Sequence, residues 1–332
     1  MKLKFGIIGC GRIAKKTMIP ALNSSEIAEL TMVGSRSLEK AKKYSKEVGC
    51  DSYGTYENVL NNKDVEAVYI SLPIGLHEEW TIKAAKAGKH VLCEKTLTTS
   101  FESTKKMVEV CKENKVRLME ALMFKYHPQH KKVIELIEKD VLGELITFQG
   151  LHGSPFFEKD SIRLNKKLGG GALNEMGCYP IGASRMIFNE EPESVYCNFK
   201  KDLELGGVDI KADVTLNYPN GKVAFCSASF NAYYRVDYSV WGTKSYLKVN
   251  RAYAVPSHMK TTISRSIDDT TTEEIVTGPI DQTKLMIEEF CRVISHEKKN
   301  DFEKDLLLQA KVMEAARMSD KENRVVYISE FK

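Results

Sequence analysis

Along residues 1–122, segments with one spacing of apolar positions alternate with segments that have another spacing. Short β-branched runs, typical of buried strands, alternate with segments whose apolar residues recur every three or four positions, as in amphipathic helices. The predicted strands are Lys4–Gly9, Leu30–Gly34, Ala67–Leu72, His90–Cys93 and Val116–Glu120. The predicted helices are Ile13–Leu22, Leu38–Val48, Tyr56–Leu60, His77–Ala87 and Phe101–Glu113. This order predicts right-handed βαβ units and an α/β domain with a doubly wound parallel sheet.

The pattern changes near residue 123 to one helix followed mainly by strands. That helix is predicted at Pro128–Glu138, and one further helical segment, Ala172–Phe188, interrupts the strands. The strand segments are LITFQG, SVYCNF, ADVTLNY, KVAFCSASF, VDYSVWG and KSYLKV. YPNGK (Tyr218–Lys222) predicts an Asn-Gly hairpin, and helices are predicted at Thr283–Ser295 and Phe302–Arg317. Residues 123–332 therefore predict an α+β domain with a large, mostly antiparallel sheet.

Composition and charge narrow the function more than the fold. The 332-residue chain is 42% hydrophobic with a formal net charge of +4, which favours neither nucleic acid nor a membrane as partner. The 8 cysteines lack zinc spacing and are expected to be reduced thiols. A proline separates His127 from His130 and no cysteine or aspartate is nearby, so no metal site is predicted. No signal peptide and no run of ~18 apolar residues is present, so we expect a cytoplasmic protein.

Glycines cluster directly after the first predicted strand, in Gly6-Ile-Ile-Gly9-Cys10-Gly11-Arg12-Ile13-Ala14. Gly9 permits a tight turn, and Gly11 lets the backbone approach a pyrophosphate at a helix N-terminus. Ala14 replaces the third glycine of the usual motif and still allows close packing of helix on strand. GxGxxA in this context predicts a Rossmann domain that binds a dinucleotide. The predicted contacts are Gly9, Cys10, Gly11, Arg12 and Ile13.

The end of the second strand indicates which dinucleotide is bound. NAD sites place an acidic side chain there for the ribose hydroxyls, and Val33–Ser37 contains none. Ser35, Arg36 and Lys40 offer a hydroxyl and two cations for a 2′-phosphate instead. NADP(H) is therefore the preferred cofactor, with NAD(H) as the alternative.

A Glu-Lys pair follows the strand His90–Cys93, at Glu94 and Lys95. Side chains at the carboxyl ends of parallel strands face the ligand crevice of such a sheet. A partly desolvated lysine beside a cofactor can exchange a proton with a substrate oxygen. Its position therefore makes Lys95 a candidate for acid–base chemistry.

Motifs over nearly the whole chain resemble the glucose-fructose oxidoreductase/inositol dehydrogenase/rhizopine-catabolism (Gfo/Idh/MocA) family of NAD(P)-dependent oxidoreductases. They are GIIGCGRIA, SLPIGLH (71–77), HVLCEKTLT (90–98), EALMFKYHPQ (120–129) and LGGGALNEMGCYPIGASRMIF (168–188). The family's EKP motif becomes Glu94-Lys95-Thr96 here. In proteins of that family, the lysine of this motif lies beside the nicotinamide and the substrate hydroxyl. The resemblance therefore implies a catalytic role for Lys95.

The family's second motif, roughly GGGxLxDxGxH, is altered at two positions in Gly169–Tyr179. Glu175 replaces the aspartate and Tyr179 replaces the histidine. The tyrosine form is similar to the sub-branch of glucose-fructose oxidoreductases, dihydrodiol dehydrogenases and deoxysugar-nucleotide C-3 ketoreductases. A tyrosine hydroxyl beside the Lys95 ammonium would polarise a carbonyl and deliver a proton, so Tyr179 is the second predicted catalytic residue. Glu175 lies four residues earlier, on the same helix face.

The remaining predicted contacts come from the ends of the later strands. His77 is expected to cap or orient the cofactor crevice, with a helix-surface histidine as the alternative. Arg163 and Lys125 are candidate contacts for a polar or phosphorylated substrate, with solvated surface charges as the alternative. Specificity is expected in the loops 151–167 and 231–260. Further cofactor contacts are Ser71, Leu72, Pro73, His77, Glu94, Lys95 and Glu120, and substrate contacts are Lys95, Tyr126, Arg163, Glu175 and Tyr179.

These features predict an NADP(H)-dependent oxidoreductase that moves a hydride between nicotinamide and a sugar carbon. Reduction of a keto-sugar, with or without a linked nucleotide, is the first interpretation. Oxidation of a free sugar, polyol or trans-dihydrodiol is the alternative, and a non-catalytic NADP-binding regulator is the alternative of another class. One face of the second sheet has no covering helices in the sequence, so a homodimer or homotetramer is expected.

Overall fold

The protein is described by a computed structural model that covers residues 2–155, 158 and 161–331. The first part of the chain forms a 6-stranded parallel sheet in the order β3-β2-β1-β4-β5-β6. Its strands are β1 (Leu3–Ile8), β2 (Ala28–Gly34), β3 (Tyr53–Gly54), β4 (Ala67–Ile70), β5 (His90–Cys93) and β6 (Leu118–Glu120). The strand order reverses between β1 and β4, which is where open α/β sheets bind ligands. The predicted doubly wound sheet is confirmed.

Helices follow the strands of this sheet in turn. They are α1 (Ile19–Ser24), α2 (Leu38–Val48), α3 (Tyr56–Asn61), α4 (His77–Lys86) and α5 (Phe101–Glu113), and a π-helical turn, Ala14–Met18, leads into α1. The Ser37 side chain caps α2 by accepting a hydrogen bond from the Lys40 N–H, and Gly49 ends the helix at φ 69°. Local caps of this kind explain why the predicted bounds of α2 and α5 agree with the structure.

The second part of the chain forms a 9-stranded mixed sheet in the order β14-β13-β12-β11-β7-β10-β9-β8-β15. Its strands are β7 (Leu145–Gly153), β8 (Ser194–Asp202), β9 (Val208–Asn217), β10 (Val223–Ser229), β11 (Arg235–Gly242), β12 (Tyr246–Val249), β13 (Thr261–Ser266), β14 (Thr272–Thr277) and β15 (Val326–Tyr327). The helices are α6 (Pro128–Glu138), α7 (Cys178–Phe188), α8 (Gln282–Ile294) and α9 (Phe302–Glu322), with a π-helical segment, Leu173–Gly177, before α7. The predicted α+β class is confirmed.

Two details of this sheet differ from the sequence analysis or refine it. Strands β7 and β10 pair in parallel although most neighbours are antiparallel. Strands β13 and β14 were not predicted, because TTISRS and TEEIVT are largely polar. The Asn-Gly hairpin between β9 and β10 is confirmed, with Asn220 at φ 60° and Gly221 at φ 75°.

The chain separates into two compact units. The first contains the chain up to Leu122 together with Thr283–Leu307, and the second contains Met123–Gln282 together with the chain from Leu308 onward. In the first unit, the Phe290 ring of α8 lies 6.2 Å from the Phe5 ring of β1. Each unit is built from two separate stretches of the chain, so no single boundary divides them. The domain limits 1–122 and 123–332 stay a prediction. Among the described residues, no helix is long and apolar enough to cross a membrane.

Candidate functional site

The glycine turn after β1 packs directly against the end of β4. Gly9 has φ +107°, and a Cβ there would lie 2.5 Å from the carbonyl oxygen of Ser71. A Cβ on Gly11 would lie 2.8 Å from Ser71 Oγ. Side chains at these positions would fill the concavity at the switch point of the sheet. The turn therefore fits a dinucleotide pyrophosphate, which requires exposed backbone N–H groups at a helix N-terminus.

Side chains around this turn support its backbone. The Tyr44 hydroxyl of α2 donates a hydrogen bond to the Gly11 carbonyl at 3.1 Å, a contact that the sequence analysis missed. The Cys10 thiol donates to the Gly34 carbonyl at 3.6 Å, and burial raises the pKa of that thiol. Arg12 and Ile13 are exposed at the start of the following helix. Cys10 is therefore a packed thiol in the turn.

Two exposed cationic side chains follow β2. Arg36 lies in the turn after the strand, and Lys40 lies in the first turn of α2. Arg36 adjoins the Tyr56 hydroxyl. Burial raises the pKa of this hydroxyl, and Arg36 lowers it to a smaller extent. Ser35 is buried, and its hydroxyl accepts a hydrogen bond from the Ser37 N–H at 3.4 Å. Its hydroxyl therefore shapes the turn that presents the two cations.

His77 joins the loops that follow β4 and β5. Its Nδ1 lies 3.1 Å from the carbonyl oxygens of both Thr96 and Leu97, and its Nε2 lies 2.8 Å from the carbonyl oxygen of Leu72. The side chain is completely buried, and burial lowers its pKa. His77 is therefore not a helix-surface residue. It orients both loops at this edge of the sheet.

The loop that carries Lys95 is held by carboxylates on both sides. The Tyr69 hydroxyl donates a hydrogen bond to Glu94, whose Oε2 accepts a hydrogen bond from the Lys95 N–H at 3.2 Å. Glu120, buried at the end of β6, accepts a hydrogen bond from the Leu97 N–H at 2.7 Å. The peptide bond between Lys95 and Thr96 is cis. Because these carboxylates accept hydrogen bonds from its N–H groups, the loop that carries the partly buried Lys95 has a well-defined backbone.

Tyr179 lies in an aromatic cluster of the second unit. Its ring centroid is 5.0 Å from His152, 5.6 Å from Tyr253 and 5.9 Å from Phe124. It is 6% exposed, so packing fixes its orientation. His152 and Tyr253 lie within the predicted specificity loops 151–167 and 231–260, but no motif singled them out. The predicted strand LITFQG ends at Gly150, whereas β7 continues to Gly153 and places His152 in the sheet.

The predicted substrate residues occupy two places in this unit. Arg163 Nε lies 3.5 Å from Glu175 Oε2, so the structure brings these two residues together as an ion pair. Lys125 and Tyr126 belong to a helical turn, Met123–Tyr126, and are partly buried. Within the predicted specificity loop, residues 156, 157, 159 and 160 lie outside the described residues.

His127 and His130 serve the local structure. His127 Nδ1 accepts a hydrogen bond from the Gln129 N–H at the start of α6, and burial lowers the pKa of His127 to about 4. His130 lies 2.9 Å from the Tyr238 hydroxyl through Nδ1 and 2.9 Å from the Ala252 carbonyl through Nε2. Over residues 2–155, 158 and 161–331, no group of three or more histidine, cysteine or acidic residues could hold a metal ion.

A glycine turn at the switch point, two cations at the end of β2 and a lysine after β5 are features of a dinucleotide-dependent oxidoreductase. Comparison with known proteins agrees. The family model described as an oxidoreductase family with an NAD-binding Rossmann fold matches residues 3–122. The model of the GFO/IDH/MocA C-terminal domain matches residues 130–248. The chain belongs to the Gfo/Idh/MocA oxidoreductase family, and the prediction from its motifs is confirmed.

Individual relatives cover most of the chain. The dTDP-3,4-didehydro-2,6-dideoxy-alpha-D-glucose 3-reductase of Actinomadura kijaniata is 32% identical over 320 residues, or 95% of each chain. D-xylose 1-dehydrogenase (NADP(+)) 2 of Haloferax volcanii is 33% identical over 294 residues, covering 88% of this chain and 89% of the relative. The crystal structure of the 3-ketoreductase KijD10 from Actinomadura kijaniata, in complex with NADP and TDP-benzene, matches with a TM-score of 0.92 and 31% identity. That match covers 96% of this chain and 98% of that chain.

Proposed function

We propose that the protein is an NADPH-dependent reductase of a keto-sugar that carries a nucleotide. The observation that carries this proposal is the extent of its similarity to a dTDP-keto-sugar 3-reductase, which spans 95% of both chains. The candidate proton-donating groups fit the same chemistry, because Lys95 follows β5 and Tyr179 replaces the histidine of the family motif. The reaction class is the reduction of a carbonyl to a secondary alcohol.

The cofactor is proposed to lie on the turn after β1. The backbone at Gly9 and Gly11 would hold the pyrophosphate, since no side chain there blocks it. Arg36 and Lys40 would bind the 2′-phosphate, which favours NADPH over NADH. The loops after β4 and β5, joined through His77, would form the wall beside the nicotinamide. When bound, the reduced nicotinamide supplies the hydride.

Lys95 and Tyr179 are proposed to act on the substrate oxygen. Addition of hydride to the carbonyl carbon builds negative charge on that oxygen. A lysine ammonium and a tyrosine hydroxyl aimed at the oxygen stabilise this charge more in the transition state than in the ground state. One of the two groups passes a proton to the oxygen, which yields the alcohol. Glu175 and its partner Arg163 would contact the sugar or its phosphates.

The reaction direction and the nucleotide are tested together in one assay. Purified protein is incubated with NADPH and dTDP-3,4-didehydro-2,6-dideoxy-D-glucose, and in parallel with NADP⁺ and D-xylose, other aldoses or a trans-dihydrodiol. Lys95→Ala protein serves as the background control. Oxidation of NADPH only with the nucleotide-linked ketone supports the proposal. Turnover only with NADP⁺ and a free sugar would establish the dehydrogenase alternative, which the similarity to a D-xylose dehydrogenase favours.

Two further properties belong to this proposal. All 8 cysteines are free thiols, and free thiols persist in the reducing cytoplasm, where we place the protein. A homo-oligomer is proposed to form through the uncovered face of the second sheet. Neighbouring strands of that face line a cavity of about 460 Å³. Its lining residues are Thr147, Gln149, Phe225, Ser239, Trp241 and Tyr246.

A further inference from the structure

A carboxylate on β9 meets the start of the helical segment that leads to Tyr179. Asp209 Oδ2 accepts a hydrogen bond from the Leu173 N–H at 2.7 Å. A Cβ on Gly171 would collide with Asp209 Oδ1, so the carboxylate occupies the space of a side chain at position 171. Gly171 has φ +128°, a conformation that glycine adopts without strain. Gly171 of the family motif therefore makes room for Asp209.

A second polar contact fixes the same turn from α9. The Asn174 side chain donates a hydrogen bond to the Gly169 carbonyl at 3.0 Å. Its Oδ1 accepts a hydrogen bond from the partly buried guanidinium of Arg317 at 2.8 Å. The turn into the helix is thus held by Asp209 on one side and by Asn174 on the other.

The ionised form of Asp209 does not favour folding. Burial raises the pKa of its carboxyl to about 6, although the hydrogen bond from Leu173 and the charge of Arg317 lower it. Because this pKa is higher in the folded chain than in the unfolded chain, Asp209 favours folding most at low pH. That contribution is lost as the pH rises through about 6.

We propose that Asp209 is a positioning residue that fixes the start of the helical segment Leu173–Gly177 and thereby aims Tyr179 at the substrate. The inference rests on the proposed function. An anion at a helix N-terminus interacts favourably with the unpaired N–H groups there. Tyr179 follows Leu173 by six residues, within the continuous helical run formed by Leu173–Gly177 and α7. A small movement at the start of the helix therefore displaces the hydroxyl that must meet the reacting oxygen.

Other charged groups around Asp209 bear on its titration. Arg317 and Asp320, both on α9, act on it with opposite sign. Lys201 is opposite Asp209 in the β8–β9 ladder, but its Nζ is 2.5 Å from Asp320. Glu175, on the capped segment, is paired with Arg163. The Cys197 thiol of β8 has its pKa raised by burial, by Asp320 and by Asp209, so it is neutral while Asp209 titrates.

The test compares Asp209→Asn and Asp209→Ala with Asp213→Asn, a matched change at an exposed position of the same strand. Hydrogen exchange of the Leu173 N–H, corrected for intrinsic rates, is measured from about pH 5 to about pH 8, a range that spans the Asp209 titration. This measurement needs no substrate. Turnover of NADPH with dTDP-3,4-didehydro-2,6-dideoxy-D-glucose is followed over the same range.

In local openings that leave Asp209 buried, we expect protection of the Leu173 N–H in the wild type and in Asp213→Asn to fall as the pH is lowered through about 6, because protonation weakens Asp209 as an acceptor for this N–H. Asp209→Asn should abolish this dependence, and it should also remove the acid limb of kcat near the same pH. Asp209→Ala should lower kcat about tenfold while the KM for NADPH stays unchanged, because positioning acts on the chemical step. Asp209→Asn should partly restore the kcat lost in Asp209→Ala, since its amide oxygen still accepts the hydrogen bond.

Unchanged exchange and an unchanged pH profile in Asp209→Asn would overturn the inference. So would a kcat in Asp209→Ala equal to the wild type. If no sugar is turned over by any of these proteins, the proposed function fails. The exchange of the Leu173 N–H then still decides whether Asp209 fixes the helix.

Discussion

Lys95 occupies a loop whose backbone is held by several neighbouring side chains. Glu94 and Glu120 accept hydrogen bonds from N–H groups of this loop, and His77 meets two of its carbonyl oxygens. Removing the lysine side chain should therefore leave the loop and the cofactor turn intact. This separation allows the chemistry of Lys95 to be tested apart from the fold.

Lys95→Ala should lower turnover by about 10²–10⁴-fold, the range for a general acid–base group, and leave NADPH binding nearly unchanged. Tyr179→Phe should reduce the rate by a similar or smaller factor, because it removes a hydroxyl without opening a large cavity. The double variant should be less impaired than the product of the singles if both groups act on one atom, as proposed. Steady-state kinetics and NADPH titration measure these effects, with exposed Lys86→Ala as control.

Turnover of Lys95→Ala near the wild-type rate, on a confirmed substrate, would contradict the mechanism. The Glu-Lys pair would then be structural, and an NADP-binding regulator would become the better interpretation.

Arg36→Ala should narrow the preference for NADPH over NADH. Loss of one charge-assisted contact to the 2′-phosphate costs about 1.5–3 kcal/mol, which is about tenfold to 150-fold in affinity. Affinity for NADH should change little because NADH lacks that phosphate. Calorimetric titration with both nucleotides measures the ratio, and Lys43→Ala, exposed on α2, is the control. Equal binding of NADH and NADPH by the wild type would remove the argument for the 2′-phosphate.

At the scale of the elements, the glycine turn after β1 forms the proposed cofactor site and also packs against the residue that follows β4. Gly9→Ala would place a Cβ 2.5 Å from the Ser71 carbonyl oxygen, in a backbone conformation with φ +107°. Gly49→Ala shares the positive φ, at +69°, but meets no atom within 4 Å. We expect Gly49→Ala to cost about 1–2 kcal/mol of unfolding free energy, the left-handed penalty alone.

Gly9→Ala should cost more than Gly49→Ala by about 1 kcal/mol or more, because overpacking adds to the backbone penalty. Urea unfolding of both variants measures the difference. Gly9→Ala should also weaken NADPH binding, whereas Gly49→Ala should not. Equal unfolding free energies for the two variants would show that Ser71 does not crowd the turn.

Elements with local signals were predictable, and those that depend on distant partners were not. Ser37 and Gly49 mark the two ends of α2 in the sequence itself. The parallel pairing of β7 with β10 joins strands far apart in the chain, and no local pattern specifies it. The same holds within the candidate site. Motifs indicated Lys95 and Tyr179, but Asp209 reaches the turn at Leu173 only through tertiary folding.

At the scale of the whole molecule, helices pack on one face of the second sheet, and the described residues of the opposite face include exposed aromatic side chains. The ring of Phe188 on α7 packs 6.3 Å from the ring of Phe148 on β7. On the opposite face, Phe225 and Trp241 are 48% and 55% exposed. Trp241 pairs with both Thr147 and Tyr246 in the strand register, so this apolar area is continuous across three strands. Contiguous exposed apolar surface on a soluble domain usually marks an interface.

Trp241→Glu should convert the proposed homo-oligomer into monomers, because it places an unpaired charge at the centre of an interface. A self-complementary patch of about 800 Å² on each subunit supports a stable dimer, and loss of a central aromatic residue costs about 2 kcal/mol or more. The dimer dissociation constant should therefore rise at least about 30-fold.

Leu203→Glu is the control, because Leu203 is 85% exposed in the turn between β8 and β9. Light scattering across micromolar concentrations should give a dimer or tetramer for the wild type and Leu203→Glu, and a monomer for Trp241→Glu. A monomeric wild type would refute the interface, and an oligomer that persists in Trp241→Glu would place it on another surface.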